Sequence, residues 1–318
     1  MSTETAGEKV RRTTSAMKLG FKWFGVSKRL EADIRMEIAE LLSADPKLLR
    51  LGKALINTSN AYYRRLTKCR SQAMDYWRDN TLPYVEKGVR LLSKAKLTSA
   101  DSVMKDFRIE LQDSAYVLNS NFSEVVQEAK DRLGSAYRME DYPTNIANQF
   151  DMEWTFPNIE PPSYLMDLDP ELYRRESERV AAIMEQIPHM AEKMFAGELQ
   201  QIIVKFTEAM KPSEDGTTKK FRSSTVETNF LEFFKRFKEL NPNENSQLLG
   251  FVKEAEALMR GVTMDGLRTS DEMRASISSK LLDLGNGIES QLGVAPRRKL
   301  TKKSSSDAEK ESEVAIGV

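Results

Sequence analysis

The sequence predicts a mainly helical protein: a bundle of long helices with coiled-coil-like packing and a small extended or β-hairpin insert. Three observations lead there. Leu172, Val180, Ile183, Ile187, Met190, Met194, Leu199, Ile202, Phe206 and Met210 return every three or four residues, which puts them on one face of a helix. Leu48, Leu51, Leu55, Tyr62, Leu66, Cys69, Ala73 and Trp77 trace a second stripe of the same kind. Between them, Pro143, Pro157, Pro161, Pro162 and Pro170 forbid a long helix, and Phe150, Met152, Trp154 and Phe156 alternate with Asp151, Glu153 and Thr155 at the period of a strand. A face as long as the first stripe needs a long helix of this chain or of a partner to cover it.

Residues 1 to 26 are polar, carry Lys9, Arg11, Arg12, Lys18 and Lys22 against Glu4 and Glu8, and read as a mobile arm. The region 27–141 reads as a helical bundle. Its first helix begins with Leu30, Ile34, Ile38 and Leu41 and is broken by Asp45-Pro46, which also starts the second, since proline suits a first helical turn. Leu82-Pro83 ends that second helix. A third runs from Ser99 to Leu133, capped by Ser99 or Thr98 and closed by Gly134 in a left-handed C-cap. Residues 142–169 form the proline-rich extended insert, a small hairpin or a segment laid over the bundle. The region 170–290 opens with the long helix, with Asp169 as N-cap ahead of Pro170, and a kink or break is expected near Ile187 because Pro188 removes one backbone bond and crowds the preceding turn, at about 3 kcal/mol. Pro212 to Gly216 is a turn, and further helices are expected over Val226 to Leu240, Gln247 to Met259 and Ser270 to Leu284. In 291–318 a basic block, Arg297 to Lys303, precedes Asp307, Glu309, Glu311 and Glu313, a pattern of a solvated, disordered tail.

The chain has 318 residues, 40% of them apolar, which suffices for one large or two ordinary domains. Lys+Arg and Asp+Glu each number 48, so no global field draws the protein to nucleic acid or to an anionic membrane, and any such binding must be local. A single cysteine, Cys69, rules out an internal disulfide framework and points to a reducing compartment, the cytoplasm. Neither a signal peptide nor a membrane anchor is expected.

Searches for catalytic chemistry fail informatively. With His189 as the only histidine, the chain cannot assemble a histidine triad or a paired-histidine metal site by itself. His189 reads as a helix-surface or partly buried residue, and Cys69 as a buried member of its stripe. Gly261-Val-Thr-Met-Asp-Gly266 has the glycine spacing of a phosphate loop, but Leu267-Arg268 stands where Lys-Ser/Thr is required. Gly285-Asn-Gly287 reads as a helix C-cap, and acidic pairs such as Asp167/Asp169 are too common in this composition to be an acid and a base. The expectation is therefore no enzyme, no cofactor and no metal.

Two segments could meet a macromolecule. Arg64, Arg65, Lys68 and Arg70 interleave with Tyr62, Tyr63, Tyr76 and Trp77, a composition suited to phosphate contact and base stacking, although Tyr62 and Trp77 fall on the core stripe opposite the arginines. Lys219, Lys220, Arg222, Lys235, Arg236 and Lys238 surround Phe230, Phe233, Phe234 and Phe237, whose spacing suits a core and which would mark a partner-binding patch if exposed. With Trp154 and Phe156 of the insert, these phenylalanines are the candidate partner-binding residues.

Gly88-Val-Arg-Leu-Leu, the helix end Arg132-Leu-Gly134, the step Asp141-Tyr-Pro143, the extended Phe150 to Pro162 stretch, and Phe221 onward with Thr228-Asn229 resemble a family of uncharacterised helical proteins from phages and mobile elements. The similarity spans about residues 25 to 290. Members of that family are often encoded beside a MoxR-type AAA+ ATPase and a von Willebrand factor A protein. The resemblance implies a non-enzymatic adaptor or scaffold working with those two partners, and it supplies no catalytic residue. A nucleic-acid-associated protein of a mobile element and a phage structural component are the alternatives, and self-association through the long stripe is a further expectation.

Overall fold

The computed structural model describes residues 4–211, 223–243, 246–262 and 264–293, and the expected turn at Pro212, the basic residues 219–222 and the charged tail lie outside them. The chain is mainly helical with a small antiparallel sheet, and it divides into two compact units, 1–191 and 192–318.

The N-terminal segment corrects the expectation of a mobile arm. Thr5 caps α1 (Ala6–Thr13) in a reciprocal capping box with Glu8. β1 (Thr14–Lys22) follows, and it pairs with β5 (Val89–Ser93) on one side and β6 (Asp151–Thr155) on the other. With β4 (Thr81–Pro83) beyond β5, the antiparallel order is β4-β5-β1-β6. Met17, Leu19 and Phe21 alternate with Lys18, Gly20 and Lys22, so β1 turns one apolar face to the core. The local charge of the segment misleads because its lysines occupy the other face.

The bundle elements are also repartitioned. Ser27–Arg29 is a strand, β2, before α2 (Ala32–Leu41), and residues 42–60 are loop around β3 (Gly52–Ala54), which pairs with β2. At Gly52 a side chain would come within 3.2 Å of the Lys28 carbonyl, so the ribbon closes tightly there. The second helix, α3 (Ala61–Asp79), therefore starts far later than Pro46. Asn60 caps it, its side-chain oxygen accepting the amide of Tyr62 at 2.9 Å. Its buried stripe is Tyr63, Leu66, Cys69, Ala73 and Trp77, with Tyr62 only half-buried. The third helix is two: α4 (Leu97–Ser120) and α5 (Phe122–Leu133). Asn121 breaks it, its side-chain amide donating to the Val117 carbonyl at 2.8 Å. Ser99 lies inside the first turn of α4 rather than capping it, while Gly134 closes α5 at φ +53° and ψ −124°, a positive-φ position but not the left-handed C-cap expected. These helices bury Leu66, Met104, Leu111, Leu118 and Val125 against Met17, Leu92 and Met152 of the sheet.

The proline-rich insert supplies β6 as an edge strand, then a turn of helix, α6 (Tyr164–Leu168), before α7 (Pro170–Met210). Asp169 caps α7 as expected, accepting the Leu172 amide at 3.0 Å. The helix runs without a break across Pro188. Met184 and Ile187 before the proline and Ala191 and Phe195 after it are all buried. Each large side chain contributes about 1.5–3 kcal/mol on burial, which together exceeds the cost of the lost bond. The buried face of α7 is Val180, Met184, Ile187, Ala191, Phe195, Leu199, Ile203, Phe206 and Met210, so the expected stripe is partly out of phase: Met190, Met194 and Ile202 lie at its half-buried margin.

In the second unit α8 (Ser223–Leu240), α9 (Gln247–Met259), α10 (Met264–Thr269) and α11 (Asp271–Leu292) accompany the C-terminal part of α7. Phe230, Phe233, Phe234 and Phe237 are all buried, with Phe233 and Phe237 edge-on to Phe195 at 6.2 and 5.3 Å and Phe230 edge-on to Phe206 at 5.8 Å. Gly285 and Gly287 do not end α11. They sit inside it, facing Ile203 and Phe251, and Gly293 is the left-handed C-cap at φ +63°.

Candidate functional site

The proline-rich segment forms the outer wall of the candidate site. After β6 ends at Thr155, prolines 157, 161 and 162 keep the segment out of helix until α6, and it lines a groove together with the N-terminal part of α7. The groove has a volume of about 670 Å3. Leu172, Val180 and Ile183 of α7 line it from one side, and Tyr84, Ile159 and Leu165 from others. Large apolar side chains continue from the groove onto open surface. Leu168 is 76% exposed and Tyr164 59%, and Val85, Met166 and Phe156 are exposed as well. α6 is too short to bury its own side chains, so it presents them.

Ion pairs fix the walls. Arg11 of α1 holds Glu160 through two donors, Nε–H reaching Oε1 at 2.8 Å and Nη2–H reaching Oε2 at 2.5 Å. Those hydrogen bonds hold the Glu160 carboxyl below its ordinary value. Asn158 accepts the Glu160 amide at 3.0 Å, and Arg179 binds Glu176 at 2.7 Å on the groove's helical side. Burial raises the Tyr84 hydroxyl above its usual range. The arrangement offers a groove of mixed polar and apolar lining with exposed apolar side chains beside it, suited to meeting a surface of another chain.

The residues singled out from the sequence do not converge on it. Of the six partner-binding candidates, Phe230, Phe233, Phe234 and Phe237 are core, as their spacing suggests, so they are not available as a partner-binding patch. Trp154 is half-buried, its indole N–H donating to Asp101 at 2.8 Å, and only Phe156 is exposed. Of the basic candidates, Arg64, Arg65 and Lys68 lie exposed along α3. Arg70 does not join them: its guanidinium sits over Phe21 and Trp23, 5.2 and 4.7 Å from the ring centroids. Sequence reasoning missed Tyr164, Met166 and Leu168, because five residues carry no period. The signal available was their apolar character inside a segment that prolines bar from the core.

His189 is exposed. Cys69 is buried, its thiol donating to the Phe107 carbonyl at 3.4 Å, and burial pushes its pKa up to about 11. Among the described residues no group of His, Cys, Asp and Glu could hold a metal ion, and no helix is long and apolar enough to cross a membrane.

A buried ionic clip lies elsewhere in the first unit. Lys53 reaches Glu31 at 2.8 Å, Asp141 at 2.7 Å and the Ala136 carbonyl at 2.8 Å, and Lys28 also pairs with Asp141. The Lys53 and Asp141 side chains are each 1% exposed. Burial opposes ionisation of both, but the contacts outweigh it, so Asp141 is held below its ordinary value and Lys53 above. Three elements are joined there, which reads as structural cross-linking of the β2–β3 ribbon. No family model, curated protein or solved structure matches the chain.

Proposed function

We propose that the protein is a non-enzymatic adaptor or scaffold that captures another protein in the groove between the proline-rich segment and α7. The observation that carries this reading is the set of large apolar side chains on and beside α6, left exposed next to the groove. The family resemblance suggests the occupant: a MoxR-type AAA+ ATPase acting with a von Willebrand factor A protein in a phage or mobile element. Coiled-coil-like packing of α7 belongs to the same reading, with the helix as the rigid backing of the groove. A photo-crosslinking side chain at position 164 in cells holding the neighbouring genes should yield an adduct with the ATPase. Adducts confined to the protein itself would contradict the proposal.

A second reading has its own observation. Arg64, Arg65 and Lys68 are exposed along one helix and, among the described residues, have no carboxylate partner. If this face binds nucleic acid, retention on duplex DNA should fall steeply as salt rises and should be lost in the triple Arg64→Glu, Arg65→Glu, Lys68→Glu variant. Retention that ignores both changes would remove this reading.

A further inference from the structure

A second concave site opens beside the β2–β3 ribbon, about 600 Å3 in volume, lined by Ser27, Lys28, Arg29, Lys47, Arg50, Leu51 and Gly52. Four of these seven residues are cations and none is acidic. Lys28 shares its charge with the buried Asp141. Arg29, Lys47 and Arg50 are exposed and have no ion pair among the described residues. Asp45, close by in sequence, turns its carboxylate to the Lys47 backbone amide at 2.8 Å. The cations come from two separate stretches, the ribbon and the loop after Pro46, and the clip through Lys53 holds the ribbon in place from behind. Like charges gathered in a hollow without a counter-charge repel one another and raise the local concentration of anions.

We infer that this hollow binds a small ligand carrying two or more linked phosphates. A single phosphate brings about two negative charges at neutral pH, too few to match the cations, whereas a linear oligophosphate can engage the ribbon and the loop together. The two arginines supply planar, forked donors that match phosphate oxygens, and the lysine supplies a point charge. The hollow has the volume and charge for one small ligand, whereas a duplex is held by phosphate contacts spread over a much longer face.

Calorimetric titration of the full chain with inorganic triphosphate tests the inference. Saturable binding is expected, weakened about tenfold or more by the Lys47→Glu, Arg50→Glu double variant and largely retained by Lys47→Arg. Both altered residues are exposed, so circular dichroism should show the variant folded. Parallel titrations use phosphoinositide-containing vesicles and a short DNA duplex. Absence of triphosphate binding overturns the inference, as does binding unchanged in the double variant. Binding confined to vesicles, or tighter binding of the duplex through the same residues, also overturns it, assigning the site to a membrane or to nucleic acid instead.

Discussion

At Asp141 two ammonium groups meet one buried carboxylate, and removing the charge leaves Lys53 with Glu31 and a carbonyl as its remaining partners. Asp141→Asn should therefore destabilise the protein by about 3 kcal/mol, the low end for breaking a buried pair because Glu31 stays, and denaturant titration reads this directly. The pH dependence has a definite sign. The folded carboxyl lies below an unfolded value of about 3.9, so its contribution is fully present above that pH and is lost as pH falls through the folded value. The denaturation midpoint of the wild type should thus drop on going from pH 5 to pH 3 more than that of Asp141→Asn. Equal drops would show that the clip is not what acid breaks. Cys69 gives a second check at this scale: with its thiol raised to about 11, alkylation at pH 8 should be slow until denaturant is added.

At the scale of the element, α7 distinguishes phase from period. Ile203 is 1% exposed while Ile202 is only half-buried, so Ile203→Asp should cost about 4 kcal/mol or more and Ile202→Asp clearly less, by thermal denaturation. The glycines of α11 give a finer test. A side chain at Gly285 would meet Ile203 at 3.5 Å, an ordinary contact, so Gly285→Ala should stabilise by up to about 1 kcal/mol through helix propensity. At Gly287 the added carbon would lie 2.9 Å from the Phe251 ring, and Gly287→Ala should lose that gain. The contrast shows what the sequence could reveal. The apolar spacing of 172–210 identified α7 and its cap at Asp169, but Met and Ile on the margins of a wide stripe blurred which side was inward. Strand β6 was legible from period-two alternation. β1 has the same alternation at Met17, Leu19 and Phe21, hidden by five cations in a short polar stretch, and β5 gains its identity from pairing with β1 rather than from any local pattern. The loop 42–60 reads as helix because its leucines keep a helical spacing, yet Leu48 is exposed and the chain turns into the β2–β3 ribbon. The groove was the least legible feature, since its walls come from the 84–86 turn, the proline-rich segment and α7, distant in sequence.

For the whole molecule, one unit buries a sheet under α3, α4 and α5, and the other buries a phenylalanine cluster and the Ile277, Leu281, Leu284 and Ile288 face of α11. Each has its own apolar core, while the apolar side chains of α6 remain outside any core. That residue set is the basis for the adaptor proposal, and two carboxylates of the groove lining are held in ion pairs, Glu160 by Arg11 and Glu176 by Arg179. Affinity at such a surface comes from apolar anchors, so it should change little with salt, in contrast to nucleic-acid binding along α3. The most direct measurement is co-elution of the purified chain with a MoxR-type AAA+ ATPase, the proposed occupant, comparing wild type with a Tyr164→Asp, Leu168→Asp double variant. Both residues are exposed, so the variant should keep its circular dichroism and melting temperature. The proposal predicts a complex with wild type that is lost in this variant. A complex that survives the substitutions, or no complex with wild type, would contradict it.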